Sequence, residues 1–372
     1  MLYSIVFISA VFLAYSNGAN DNFKGVSTLF GSGTADFKKA LNWASLTTVL
    51  GSVASVFFAS VLVKNFSGKG LVPDAYLTQP QFAIAIALGA AITVMVATKI
   101  GMPISTTHGL VGALTGVGLI AAGDQFNFSK LGSSFFLPLI MSPFIAMVIS
   151  LSLYFIFNRL RRMSGITKES CVCVTEKVPL VAMANSNTSF EAHENSNVQL
   201  QTGTLKSCSD EYTGNIIGVS AQNILDTLHY ISAGAVGFAR GLNDTPKIVG
   251  LLLIISSLDM RISGIFISIA MVIGGLLNAK KVGETMSKKI TKMNHGQGFT
   301  ANLTTAALVT TASFSGLPVS TTHVSVGSII GIGTVSKSIN LITIKNIVLS
   351  WVLTLPIAAL IGAIIYSILT KI

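Results

Sequence analysis

Runs of apolar residues long enough to cross a lipid bilayer recur along most of this 372-residue chain. A hydrocarbon core of ~30 Å requires about 20 such residues in a helix. Inside that core only helices and closed barrels satisfy every backbone polar group. The chain has 51% hydrophobic and 10% charged residues and a mean hydropathy of +0.71. This composition excludes an ordinary soluble domain. The sequence predicts an all-α polytopic membrane protein.

Five apolar elements lie on each side of a polar insert rich in Ser, Thr, Asn, Glu and Lys. One of them is too long for a simple span, so we expect two helices or one broken helix there, and ten to twelve transmembrane segments in total. The predicted domains are a first transmembrane repeat at 1–157, a flexible hydrophilic loop at 158–214 and a second transmembrane repeat at 215–372. The predicted elements are 2–30, 41–63, 82–98, 101–122, 135–157, 216–256 (the long one), 262–278, 299–315, 316–335 and 347–369.

Two motifs occur once in each half and in the same order. GANDNFKGV begins at Gly18 and GLNDTPKIV at Gly241, whereas GMPISTTH begins at Gly101 and GLPVSTTH at Gly316. Two different motifs repeated in the same order at similar spacing indicate an internal duplication.

Basic residues predict how the two halves are oriented. The loop 64–79 has two lysines and one aspartate, and its counterpart 280–297 has five lysines and one glutamate. Because basic short loops stay in the cytoplasm, equivalent loops are expected on opposite sides, as in inverted-topology repeats. This places the protein in a cell (plasma or inner) membrane. The central loop is then in the cytoplasm and both termini are outside the cell. The net charge of +10 then reflects topology, and a nucleic-acid partner is not needed to explain it.

The first motif places a carboxylate within or beside each of two hydrophobic spans, at Asp21 and Asp244. Such groups are costly in a membrane and usually face a cavity or a partner. We expect the glycines at 18 and 241 to let each helix break and expose its carbonyls. Carbonyls, carboxylates and the amide oxygens of Asn20 and Asn243 are hard ligands suited to an alkali cation. The alternative is that each Asp merely caps a helix.

The second motif predicts an anion site. Pro103 and Pro318 interrupt a helix, and the Ser-Thr-Thr that follows suits an N-cap and a first helical turn. Amide N–H groups and hydroxyls at such a helix end attract anions, so two of these ends could grip one tetrahedral oxyanion. Alternatively the hydroxyls bond back to carbonyls and the following small residues pack helices; we expect both roles. The candidate ligands are Ser105, Thr106, Thr107, Ser320, Thr321 and Thr322.

Five further residues are secondary candidates. His108 and His323 follow each motif serine by one turn, and we favour an orienting role over a proton-carrying one. For Lys24 and Lys247 we expect snorkelling to a membrane interface, with charge supplied to the anion as the alternative. Gln222 shares a helix face with Asp226, four residues on, and would extend a polar pathway.

These paired Gly-x-Asn-Asp and Pro-x-Ser-Thr-Thr-His motifs, split by a hydrophilic loop, closely resemble the inorganic phosphate transporter (PiT) family. The resemblance implies a secondary transporter, and no enzyme, that imports phosphate with sodium or protons by alternating access. The implied phosphate ligands are the six hydroxyl residues together with Asp21 and Asp244. The implied sodium ligands are Asn20, Asp21, Asn243, Asp244, Thr107 and Thr322.

The chain departs from the family pattern at one place in each half. The usual Asn-Asp-Val-Ala-Asn-Ala reads Asn-Asp-Asn-Phe-Lys-Gly at 20–25 and Asn-Asp-Thr-Pro-Lys-Ile at 243–248. The second Asn is therefore missing from both copies, where Lys24 and Lys247 stand instead. This leaves the choice of coupling ion open.

Sodium is the coupling ion that we predict, with no organic cofactor. Importing a divalent phosphate against 100 mV costs about 4.6 kcal/mol, which two accompanying cations cancel. A proton-coupled phosphate or sulfate permease on the same scaffold is the alternative. A membrane hydrolase built from Ser105, His108 and Asp21, and a passive channel, are further rivals. The expected partners are phosphate, sodium or protons, and the lipid bilayer, with a homodimer left open.

Overall fold

The computed structural model describes residues 1–176, 198–204, 219–255 and 258–371, and helices make up most of this part of the chain. Short 3-10 turns lie at Lys24–Val26, Gly123–Gln125 and Gly250–Leu252, and π-helical turns at Gly132–Phe136 and Thr285–Lys289. The α-helices are α1 (Leu2–Asp21), α2 (Ser27–Ser32), α3 (Phe37–Phe58), α4 (Ser60–Phe66), α5 (Asp74–Leu77), α6 (Pro80–Ile100), α7 (Thr106–Ala122), α8 (Phe128–Leu131), α9 (Leu137–Met163), α10 (Ala221–Val249), α11 (Met260–Asn278), α12 (Lys280–Glu284), α13 (His295–Phe314), α14 (Thr321–Ser336) and α15 (Leu341–Leu369).

The predicted helical membrane fold is confirmed. Within the described ranges, seven helical stretches have the length and hydropathy to cross a bilayer, formed by α1–α2, α3, α6, α7, α8–α9, α11 and α15. Their outer faces carry exposed apolar side chains such as Val352 and Leu360, as lipid contact requires. Helices α10, α13 and α14 fall outside this set, and α10 buries charged and amide side chains that lower its hydropathy.

The chain forms two compact units, residues 1–154 with 229–372, and residues 155–228. The smaller unit holds an antiparallel sheet of β1 (Ser170–Glu176), β2 (Val198–Thr204) and β3 (Val219–Ser220), in the order β2-β1-β3. The prediction of a flexible loop is therefore wrong for β1 and β2, whereas β3 lies in the segment that was predicted to begin the second transmembrane repeat. The sequence SCVCVTE of β1 is rich in β-branched residues, which favour strands. The predicted loop at 177–197 and 205–214 lies outside the described residues.

The first motif does not break its helices at the glycines as predicted, although α1 ends three residues after Gly18 and a 3-10 turn follows at Lys24–Val26. Helix α1 continues through Gly18 to Asp21, and α10 continues through Gly241 to Val249 as one helix. A Cβ added at Gly18 would collide with the Met271 carbonyl, and one at Gly241 with the Thr48 carbonyl. The glycines therefore permit backbone-to-backbone packing of α1 on α11 and of α10 on α3. The same number of residues separates 18 from 241 and 48 from 271, so the repeat relates the two contacts.

The small residues after the second motif also pack helices, as predicted. A Cβ at Gly116 of α7 would meet the Ala359 carbonyl of α15, and one at Gly331 of α14 would meet the Met147 carbonyl of α9. Each of these motif helices therefore packs closely on the last helix of the other repeat. This exchange brings the two Ser-Thr-Thr turns into the same interior.

Candidate functional site

The chain is irregular between α6 and α7 and between α13 and α14, where the second motif lies. Each interruption begins at a glycine in the left-handed region, Gly101 with φ 77° and Gly316 with φ 68°, a conformation that glycine adopts without steric cost. The residues up to 105 and up to 320 are non-helical. Two helices consequently start inside the protein instead of at its surface.

A serine caps each of these internal helix starts. Ser105 Oγ accepts a hydrogen bond from the His108 amide at 3.1 Å, and Ser320 Oγ accepts one from the His323 amide at 3.2 Å. The predicted N-caps are confirmed, and both serine hydroxyls are engaged by backbone. The two threonines that follow each serine occupy the first helical turn.

We expect Ser105→Ala and Ser320→Ala each to lower the free energy of unfolding by about 1 kcal/mol, because each removes an N-cap. The measurement is thermal unfolding in detergent. The control is Ser133→Ala, an exposed serine that bonds to a carbonyl one turn earlier. Equal transition temperatures for the cap variants and the control would contradict the assigned role.

The ammonium of Lys24 lies in a shell of oxygen atoms. Its Nζ is 2.6 Å from the Ile104 carbonyl and 2.7 Å from Thr322 Oγ1. It is also 2.8 Å from Asn20 Oδ1, and it forms an ion pair with Asp21 Oδ1. Lys24 thus joins the first motif of its own repeat to a threonine of the other repeat.

Lys247 makes the equivalent contacts in the second half. Its Nζ is 2.7 Å from Thr107 Oγ1, 2.8 Å from the Val319 carbonyl and 3.2 Å from Asp244 Oδ1. Both lysines are 1% exposed. The expected snorkelling to an interface is therefore wrong, because each ammonium pairs with a buried carboxylate that gives it a better partner than headgroups would.

The motif asparagines hold the interrupted segments. Asn20 Nδ2 donates to Thr98 Oγ1 at 2.9 Å, and its Oδ1 accepts the Ile104 amide at 3.2 Å. Asn243 Nδ2 donates to Thr321 Oγ1 and to the Val319 carbonyl, both at 3.2 Å. These bonds fix each Ser-Thr-Thr turn against its own Asn-Asp pair.

Asp21 also accepts hydrogen bonds at its second carboxylate oxygen, Oδ2. Thr106 Oγ1 donates to Asp21 Oδ2 at 2.8 Å, and Asn17 Nδ2 donates to the same oxygen at 2.9 Å. Asn17 lies 3.3 Å from Asp244 Oδ2 as well, so one amide connects the acids of the two repeats.

Two further polar residues, Asn17 and Arg240, contact these motif residues but were not candidates in the sequence. Arg240 Nη2 donates to Asn17 Oδ1 at 2.6 Å, and Nη1 donates to Asn22 Oδ1 at 2.9 Å. Its Nε lies 3.7 Å from Asp244 Oδ2, beyond hydrogen-bond distance, and has no hydrogen-bond partner in the described part of the chain. Asn17 and Arg240 each precede a motif Asp by four residues, a spacing that shares a helix face and could have revealed them.

The cluster carries an excess of positive charge. It contains three cations (Lys24, Lys247 and Arg240) and two carboxylates (Asp21 and Asp244), all at most 4% exposed. With all five groups ionised, the formal sum is one positive charge. Buried charges at this density require counter-charges, and these five groups include one cation more than carboxylates.

The two histidines join the repeats. His108 Nδ1 lies 3.2 Å from the Trp351 carbonyl, and His323 Nδ1 lies 3.2 Å from the Leu139 carbonyl. Their rings meet edge to face with centroids 4.3 Å apart. These contacts support the predicted orienting role, because each ring fixes a motif helix on the last helix of the other repeat. Gln222 donates to Asp226 Oδ1 at 2.8 Å within the smaller unit, as its spacing predicts.

The predicted ligands are shielded from solvent. The first-motif acids and the six hydroxyl residues are each at most 4% exposed. A solute cannot reach them from either side without a rearrangement, so the conformation is occluded.

Comparisons with known proteins agree with this geometry. A model described as "Phosphate transporter family" matches residues 17–362. The chain belongs to this family. It is 29% identical to the "Putative phosphate permease" of Pyrococcus abyssi, over 98% of this transporter and 97% of that protein. It is 28% identical to the "Probable low-affinity inorganic phosphate transporter" of Bacillus subtilis, over 99% and 97% of the two chains.

A solved structure described as "The sodium-dependent phosphate transporter" resembles the transporter with a TM-score of 0.77 and 22% identity, over 100% of this chain and 99% of that one. This likeness confirms the fold. The expectation of a transporter and no enzyme is confirmed by the family. The roles of the individual site residues stay predictions.

Proposed function

We propose that this transporter imports inorganic phosphate across the cell membrane by alternating access, driven by a cation gradient. The observation that carries the proposal is the meeting of two Ser-Thr-Thr helix starts, one from each repeat, at one buried cluster with excess positive charge. Thr107 touches the lysine of the second repeat and Thr322 touches that of the first, both at 2.7 Å.

The chemistry of the cluster suits a tetrahedral oxyanion. Two helix N-termini present the positive ends of their dipoles. The hydroxyls of their first turns can donate to phosphate oxygens once they leave their present acceptors, such as Asp21 Oδ2 for Thr106. The buried Nε of Arg240 adds a charged donor that has no hydrogen-bond partner within the described residues. A monovalent phosphate would bring the formal charge of the cluster to zero.

Two features support alternating access. The predicted ligands are occluded, so uptake requires that the site open to one side and then to the other. The paired contacts at Gly18 and Gly241 follow the repeat, and inverted repeats offer two equivalent ways to open. The basic-residue count supports a cytoplasmic central loop and external termini.

The proposal also concerns which cation is coupled to phosphate transport. Sodium is expected from the sequence, and the solved relative is described as sodium-dependent. However, a lysine ammonium already pairs with each of the two acids that were the sodium candidates. This observation favours the proton-coupled alternative over sodium.

A serine hydrolase is a poorer fit. Ser105 Oγ accepts a backbone amide, and His108 Nδ1 faces a carbonyl. Nucleophilic catalysis would require the serine to donate to a base within hydrogen-bond reach, and these contacts describe no such pair.

The experiment is uptake of labelled phosphate into liposomes that contain the purified protein, with sodium and proton gradients imposed separately. We expect saturable uptake above that of empty liposomes, competed by unlabelled phosphate and at least about ten times less well by sulfate. Lys39→Asn, which alters an exposed lysine, is the control and is expected to match the wild type. Absence of uptake under every gradient, or equal competition by sulfate, would contradict the proposal.

A further inference from the structure

We infer that the ammonium groups of Lys24 and Lys247 are built-in replacements for two coupling cations, so that phosphate transport by this chain does not require sodium. The inference rests on the proposed function and excludes sodium as its coupling ion.

The shell around Lys24 resembles a cation site. An ammonium has three N–H donors, yet four oxygens surround Nζ: a carboxylate, an amide, a carbonyl and a hydroxyl. These are the hard ligands that proteins use for group I and group II cations. The lysine therefore places its positive charge where such an ion would be held.

Three of these four shell types, all except the amide, occur around Lys247. Its oxygens come from the Asp244 carboxylate, the Val319 carbonyl and the Thr107 hydroxyl. Their counterparts around Lys24 are Asp21, Ile104 and Thr322, residues that match through the repeat. A lone structural ion pair would not need a matching set in both halves.

The two lysines stand where the family pattern has a second Asn. Asn is shorter and uncharged, so its amide could contribute a ligand to a bound ion but could not occupy the position of that ion. Lys is longer and reaches the acid of its own motif, three residues earlier. A sodium ion at either acid would now lie against an ammonium in a buried, low-dielectric site, where like charges repel strongly.

The charge of the cluster explains why lysine in place of both asparagines removes the need for sodium. With Asn at both positions, Asp21 and Asp244 against Arg240 would leave one negative charge, and an anion could bind only together with external cations. With lysine at both positions the cluster has one positive charge before any solute arrives. Phosphate binding is thereby uncoupled from sodium binding.

The first test uses the wild type. Replacing all sodium by N-methyl-D-glucamine is expected to change the initial rate of phosphate uptake into liposomes by less than about twofold, since linkage to sodium is absent. Binding of radioactive sodium to the detergent-purified protein, with phosphate present, is expected to show no saturable component. A sodium requirement or saturable binding in the wild type overturns the inference and leaves phosphate transport intact.

The second test restores Asn with the double variant Lys24→Asn/Lys247→Asn. We expect saturable sodium binding to appear and uptake to depend on sodium by about tenfold or more. Lys39→Asn is the matched control, because it removes an exposed lysine, and it should keep the wild-type result. A folded double variant that binds no sodium overturns the inference; if this variant does not fold, the wild-type sodium-binding measurement decides.

Failure of the proposed function is distinguishable from failure of this inference. A wild type that takes up no phosphate in any ionic condition contradicts phosphate transport itself. A wild type that takes up phosphate only with sodium contradicts only the role of the lysines.

Discussion

Asp21→Asn is expected to lower the initial rate of phosphate uptake by about 100-fold or more. The change leaves the Lys24 ammonium buried beside an uncharged amide, and breaking a buried ion pair from one side costs about 3–5 kcal/mol. It also replaces the carboxylate oxygen that accepts the Thr106 hydroxyl at 2.8 Å. The measurement is uptake into liposomes, normalised to the amount of protein incorporated.

Asp36→Asn is the matched control for this variant. Asp36 is exposed and caps α3 by accepting the Lys39 amide at 2.8 Å, and Asn caps a helix as well as Asp does. The same chemical change there is expected to leave uptake near the wild-type rate. If Asp21→Asn transported as fast as Asp36→Asn, the acid would have no place in the site.

Gly241→Ala is expected to destabilise the folded protein by about 3 kcal/mol or more, the upper range for an overpacked core. The new Cβ would collide with the Thr48 carbonyl and lie 2.7 Å from the Ser52 amide nitrogen. Backbone atoms cannot move aside by changing rotamer, so α10 and α3 would have to separate. Thermal unfolding in detergent and the yield of monodisperse protein report the effect.

Gly132→Ala provides the comparison for this second variant. A Cβ there meets nothing within 4 Å, and Ala favours helical backbone over Gly. We expect it to unfold at the wild-type temperature or slightly above. An unchanged Gly241→Ala protein would mean that α10 and α3 do not approach each other as closely as the structure shows.

The Ser-Thr-Thr turns could be predicted from the sequence because their determinants are local. Pro103 and Pro318 cannot continue the preceding helix, and Ser105 and Ser320 bond to an amide three residues away. Such preferences act within one turn. They needed no knowledge of the neighbouring helices.

The roles of the glycines and lysines could not be predicted in the same way. Gly18 permits either a break or close packing, and only the position of α11 decides between them. Lys24 would snorkel if it lay near an interface, but the depth of a residue is set by tertiary packing. For Arg240 the sequence offered only its four-residue spacing from Asp244, because its hydrogen-bond partners, Asn17 and Asn22, lie more than 200 positions earlier in the chain.

The exchange of last helices between the repeats has a consequence for the stability of each half. Helix α7 packs Gly116 against α15, and α14 packs Gly331 against α9, so neither half carries the surface that its own motif helix requires. We expect half-length fragments of the present chain to be stable only when produced together, because each fragment alone lacks the helix on which its own motif helix packs.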